Sequence, residues 1–168
     1  MAVLPILKWP DPRLSTVCSP VGAAVAPLQE LIADMFDTMY AAPGRGLAGP
    51  QVGAMQRLFV MDVTWKEGAR SPVVMIDPEI LDRSPELVTG EEGCLSIPGI
   101  TADVARPDWV VMAWTDATGA RRQERLDGFA ARCAQHELDH LDGRVTFDRL
   151  TPTARALAET RYQQGPAS

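Results

Sequence analysis

Histidine is scarce in this chain, with two among 168 residues. Cysteine is nearly as scarce, the three being Cys18, Cys94 and Cys133. An odd, sparse set does not make a disulfide framework and suits a reducing compartment, where thiols serve as core residues or metal ligands. Basic charge is short as well: 16 Lys and Arg against 22 Asp and Glu leave a net charge of −6. That balance argues against a general nucleic-acid binder, while leaving a local basic patch open. No stretch approaches the roughly 20 apolar residues of a membrane-spanning helix. The opening MAVLPILKWPDPRL has no basic n-region and no cleavage pattern, and it carries Pro5 and Lys8, so it does not read as a secretory signal. Internal repeats and linker-like segments are absent too. These absences predict a soluble, cytoplasmic protein with no membrane contact and no direct nucleic-acid specificity. What is present, 46% hydrophobic and 23% charged residues, is enough to bury one sizeable core. We therefore expect a single domain over 1–168, with a proline-rich arm at 1–20 and a C-terminal helix at 152–163.

The arm should pack through Leu4, Ile6, Leu7 and Trp9, with a short turn opening at Asp11-Pro12. Leu28, Leu31, Ile32, Met35, Phe36 and Met39 recur at helical spacing and predict a helix over 27–42, begun by Pro27 and stopped at Pro43-Gly44. The glycine-rich stretch GRGLAGPQVG follows. It lacks the Gly-Lys-Ser/Thr of a phosphate loop and reads as a turn or as a backbone approached closely by something else. Strands are predicted over 57–63, 72–76, 110–115 and 121–126, with a polar loop at 64–71 and a hairpin turn at DATGA (116–120). Asp77-Pro78 should start a turn, after which 79–89 is extended but irregular. A second helix should run over 129–141, capped by Asp127 or Gly128 and ended at Asp142-Gly143. The predicted class is α+β: short, mostly antiparallel sheets around a central helix, with an N-terminal and a C-terminal helix added.

Both histidines of the chain fall in that central helix, in QHELDH (135–140). On a helix, His136 and His140 lie one turn apart on one face and can share a divalent metal ion, with Glu137 beside it as a candidate general base. A catalytic site of this kind needs a third protein ligand and one open position. Thr146 stands where a metzincin would place its third histidine, which excludes that class. Glu159, 19 residues after His140, would serve a thermolysin-like metallopeptidase. Cys94, in EEGCLSIPG (91–99), offers a thiolate from a segment shaped by Gly93, Pro98 and Gly99. Cys133 is a weaker candidate, one turn before His136.

GRGLAGPQ, EGCLS and QHELDH, in this order and spacing, resemble the three signatures of the peptide deformylase family. The resemblance extends over about residues 3–152. It implies that Cys94, His136 and His140 bind one divalent ion, usually Fe²⁺, with Zn²⁺, Ni²⁺ or Co²⁺ able to substitute, and with water in the fourth position. It implies that Glu137 takes the proton of that water and passes it to the leaving amine, while Gln51 and the backbone N–H of Leu95 hydrogen-bond the formyl oxygen. The implied reaction releases formate from N-formyl-methionyl peptides and nascent chains, with transient ribosome contact. The substrate-binding residues implied are Arg45, Gly46, Leu47, Glu92, Gly93, Phe129, Arg132 and Cys133. A catalytically weak relative that only binds such peptides is the remaining alternative.

The chain departs from the family pattern at several points. Gly49 replaces a usual Ala, Thr101 stands where many bacterial members have a basic residue, and Arg45 and Arg132 replace apolar residues near the methionine pocket. Two arginines there predict a pocket that is not purely apolar, its walls formed by their stems while the charged heads reach water.

Overall fold

The structure is a computed structural model and describes residues 2–165. Its architecture is the α+β one expected. A 3-10 turn at Ala26–Leu28 leads into helix α1 (Gln29–Ala41). The strands are β1 (Gly46–Ala48), β2 (Leu58–Met61), β3 (Val73–Arg83), β4 (Leu87–Cys94), β5 (Ile97–Pro107), β6 (Trp109–Thr115) and β7 (Arg121–Asp127). Helices α2 (Gly128–Leu141) and α3 (Pro152–Gln163) complete the order. Five strands form an antiparallel sheet in the order β1-β2-β3-β6-β7, and β4 and β5 make a separate two-stranded hairpin.

Period-2 alternation divides the core between the two faces of the large sheet. On β2, Leu58 and Val60 join Ile32, Met35 and Met39 of α1, while Phe59 and Met61 join Ala131, Cys133, Ala134 and Leu141 of α2. Both faces of β2 are therefore buried, which is why LFVM (58–61) is an unbroken apolar run. The helix α2 contacts β1, β2, β6 and β7 and also β5, so it is held between the sheet and the hairpin. A third cluster sits under the N-terminal arm, where Leu7, Trp9 and Leu14 pack with Ile97, Phe147, Ala158 and Tyr162.

Two regions differ from the sequence-based expectation. Asp77-Pro78 does not end a strand. β3 continues through it to Arg83 with shifts of register after Ile76 and Ile80. Asp77 adopts φ +48°, and its carboxylate accepts from the N–H groups of Val21 and Gly22. The segment just after the arm thus holds an irregularity that, by local chemistry, reads as a turn. The second difference is the hairpin. It carries two strands of 8 and 11 residues, β4 and β5, where the expectation had extended but irregular chain over 79–89 and no strand from there to 107.

Gly143 ends α2 with φ +75°, and a Cβ there would lie 3.0 Å from the backbone of Ser15, so the site demands glycine twice over. Among the described residues no helix is long and apolar enough to cross a membrane.

Candidate metal centre

The hairpin and α2 each contribute part of one site. Cys94 is the last residue of β4, paired with Ile97 across the tight end of the hairpin. His136 and His140 project from α2, with ring centroids 5.0 Å apart. One ligand atom from each of Cys94, His136 and His140 lies within 4.8 Å of the others, and Cys94 Sγ is 3.4 Å from His140 Nε2. One thiol and two imidazoles, all in or beside the core, make a donor set suited to a divalent transition metal. Glu159 does not join them: it lies on α3 facing Arg155 at 3.4 Å.

The second ring nitrogen of His136 has a partner. Nδ1 is 3.0 Å from Glu92 Oε1, which fixes the ring and leaves Nε2 for a ligand. Glu92 in turn is gripped by Arg106 through Nε (2.6 Å) and Nη2 (2.9 Å) and by Arg132 through Nη1 (2.7 Å). Arg106 continues to Asp139, which also binds Arg149. This chain of charges is buried; the side chains of Arg106, Glu92 and Asp139 are 3%, 4% and 9% exposed. Burial alone would raise the Glu92 pKa, but its bonds to His136 and Arg106 hold it at about 2. Arg106 and Asp139 were not anticipated from sequence. An arginine flanked by Ala105 and Pro107 reads as a solvated residue until the register of β5 places it beside Glu92.

Glu137 is buried between α2 and β1, and burial pushes its carboxyl up to about 7. Its Oε1 has no hydrogen-bond partner among the described residues, which leaves an acceptor aimed at no protein group. His140 is kept neutral by burial and by the neighbouring His136 and Arg106 charges. Burial also disfavours charge on His136, but Glu137, Cys94 and Glu92 outweigh it and draw a proton there.

Gln51 sits in a buried 3-10 turn, Gly49–Val52. Its Oε1 accepts from Ala48 N–H at 2.9 Å, which assigns the amide and turns Nε2 toward the site. Nε2 donates to Ser96 Oγ at 3.0 Å and lies 3.6 Å from Cys94 Sγ, so its second N–H has only a weak partner. Gly49 has a local reason: a Cβ there would meet the carbonyl oxygen of Ala54 at 2.6 Å. The glycine is what lets the two backbone segments approach.

A cavity of about 780 Å³ opens in front of these groups. Arg45, Gly46, Gln51, Glu92, Gly93, Cys94, Leu95, Phe129, Arg132, Cys133, His136 and Glu137 all line it, as does Thr101. Leu47 does not. Strand alternation in β1 turns Gly46 and Ala48 toward α2 and sends Leu47, fully buried, into the α1 side of the core. The arginines also differ from expectation. The Arg45 head bonds Glu67 at 2.5 Å and lies 5.2 Å from the Phe129 ring centroid, at the cavity rim. The Arg132 head does not extend into solvent; it folds onto the hairpin, and its side chain is 13% exposed.

The family model "Polypeptide deformylase" matches residues 3–156. A peptide deformylase from Rhizorhabdus wittichii is 45% identical over 98% of this chain and 96% of its own length. Peptide deformylase 2 from Xanthomonas campestris is 48% identical over 96% of this chain and 95% of its own. A crystal structure of a peptide deformylase from Legionella pneumophila superposes with a TM-score of 0.90 at 39% identity, covering 97% of this chain and 95% of that one. That from Ehrlichia chaffeensis, solved in complex with actinonin, gives 0.90 at 38% identity, covering 99% of this chain and 100% of that one.

Proposed function

Since the chain belongs to the polypeptide deformylase family, we propose that it hydrolyses the N-formyl group of formyl-methionyl peptides and nascent chains, releasing formate and a free amino terminus. The observation that carries this reading is the convergence of Cys94, His136 and His140 within 4.8 Å, beside a buried Glu137 with an unpartnered oxygen. In this reading the three residues hold one divalent ion, Fe²⁺, whose place Zn²⁺, Ni²⁺ or Co²⁺ can take. When bound, the ion supplies a Lewis acid that polarises the formyl carbonyl and makes water acidic near neutral pH.

The protein's own groups do the rest. Glu137 takes the proton of the attacking water and delivers it to the departing amine. Attack turns the formyl oxygen into an oxyanion, which accepts from the weakly engaged second N–H of Gln51 Nε2 and from the Leu95 main-chain N–H. Oε1 of Gln51 is committed to Ala48, so the side chain can only present its donor end. Glu92 holds the ring of His136 in orientation. Gly46, Gly93, Phe129 and Cys133 receive the peptide, together with the stems of Arg45 and Arg132, whose heads are already engaged. Nascent substrates imply work in the cytoplasm, with transient ribosome contact.

The test is formate release from formyl-Met-Ala by protein loaded with Fe²⁺ in the absence of air, since both Fe²⁺ and the thiolate are oxidisable. Wild type should release formate stoichiometrically with free amine. Cys94→Ala should lose both metal and activity, and Glu159→Ala neither. A Cys94→Ala protein that keeps its metal would overturn the ligand set.

A further inference from the structure

The three ligands come from two elements that share no strand pairing. The β4–β5 hairpin stands outside the five-stranded sheet, and α2 packs on that sheet. Side chains must therefore set where Cys94 lies relative to His136 and His140. Arg106 supplies one bridge, from β5 to Glu92 and to Asp139 of α2. A second bridge starts on α2, one turn before His136. Arg132 Nη1 donates to Glu92 Oε2 at 2.7 Å and to the Val104 carbonyl of β5 at 2.9 Å; Nη2 donates to the Val88 carbonyl of β4 at 2.6 Å. One guanidinium thus ties both strands of the hairpin to the helix. It also grips the carboxylate that holds His136 Nδ1.

Gly90, between Val88 and Glu92 on β4, is fitted to this arrangement. A Cβ there would lie 3.0 Å from both Cζ and Nε of Arg132 and 3.1 Å from Nη2, so the guanidinium lies flat against a bare backbone. We propose that Arg132 is a positioning residue of the metal centre, acting through Glu92 on His136 and through the hairpin backbone on Cys94. The proposal rests on the metal-centre reading given above. Partners of this kind, one step removed from the ligands, change metal affinity by about 10–100-fold when lost.

The experiment measures Co²⁺ affinity of the full chain by competition with a chelator, together with the visible absorption bands of the Co²⁺ protein. Arg132→Leu should weaken Co²⁺ binding on the order of 10–100-fold and shift the bands. Arg132→Lys should recover only part, because an ammonium can hold Glu92 but cannot span Val88 and Val104 as a planar fork does. Gly90→Ala keeps every charge, displaces the guanidinium by a few tenths of an ångström, and should weaken binding in the same direction by less. A merely structural brace would lower the unfolding temperature yet leave the affinity and bands of the folded protein unmoved. Folded Arg132→Leu with affinity within about twofold of wild type and unchanged bands overturns the proposal. Should that variant not fold, unchanged affinity and bands in both Arg132→Lys and Gly90→Ala overturn it equally. A wild-type chain that takes up no Co²⁺ overturns the metal-centre reading as well, whereas a binding wild type with indifferent variants overturns the role of Arg132 alone.

Discussion

Replacing Gly46 by alanine probes Glu137 without touching it. Gly46 has no positive φ, so an alanine there carries no backbone strain. Its methyl carbon, however, would lie 2.5 Å from Glu137 Oε2 and 2.9 Å from both Glu137 Cδ and Cys133 Sγ. The backbone cannot simply withdraw, because Gly46 pairs with Met61 in the sheet. Cys133 is buried against the α2 side of the core. The carboxylate is the part that must give, and opening 2.5 Å to an ordinary contact near 3.4 Å moves it by about 0.9 Å. Misplacement of a catalytic group by about 1 Å costs roughly 100-fold, equivalent to about 2.7 kcal/mol in the barrier. Crowding the core adds about 1–3 kcal/mol of destabilisation. The assay is kcat/KM on formyl-Met-Ala, with bound metal quantified and the unfolding transition recorded for the same preparation. We expect kcat/KM to fall about 100-fold at full metal content, because the shifted group is not a ligand. Gly68→Ala, with nothing within 4 Å of the added carbon, is the control and should match wild type. A Gly46→Ala enzyme within about threefold of wild type would refute the placement of Glu137 as the proton carrier, since a 1 Å displacement would then not matter.

Removing Arg106 should be far more damaging than removing Arg149, although both bind Asp139. Arg106→Met strips the bidentate partner from buried Glu92 and one of two arginines from Asp139, and should cost about 3–5 kcal/mol of unfolding free energy in urea titration. Arg149→Met, at a side chain 36% exposed, should cost about 1 kcal/mol or less. Tyr40 gives a pH test. Burial and the bond to Asp62 push its hydroxyl up to about 12, above the ordinary value of 10. The folded state therefore favours neutral Tyr40. Its contribution is complete below pH 10 and is lost as pH rises toward 12. Unfolding free energies measured across that interval should fall more steeply for wild type than for Tyr40→Phe, and equal slopes would contradict the assignment.

The parts legible in the sequence are those whose signal is periodic or chemically rare. α1 announced itself by apolar residues at helical spacing, α2 by its capping and terminating residues and the paired histidines, and β2 by an apolar run. Two histidines four residues apart have few other uses in a chain that has no more of them. The hairpin had no such signal. β4 and β5 pair with each other and with no other strand. Leu87 and Val88 are exposed, and the inward row of β5 runs Ile100, Ala102, Val104, Arg106 and so ends on a charge. Gly93 and Gly99, which local reasoning takes as punctuation of a shaped segment, are residues of paired strands, as is Gly90. Gly90 is bare because Arg132 lies on it. Cys94 was reached through the chemistry of ligands rather than through its strand. Leu47 was misplaced because a motif read as a loop carries no alternation, whereas the three residues of β1 do.

Arg132 shows why a substitution judged by residue type alone misleads. As a charge near an apolar pocket, it predicts a head that escapes to water. In place, it donates three hydrogen bonds and shares Glu92 with Arg106. Three arginines, 106, 132 and 149, thus surround two carboxylates, Glu92 and Asp139, behind the histidines. Burying such a cluster contributes little net stability, because desolvation offsets much of the attraction. Its use lies in direction. A carboxylate held from two sides has no freedom to turn, and an imidazole bonded to it has little more. The excess positive charge also keeps Glu92 ionised, so that it accepts from His136 Nδ1 and leaves Nε2 as the nitrogen that faces the site. The arginine that looks foreign to the pocket is, on this geometry, part of what orients the centre beside it.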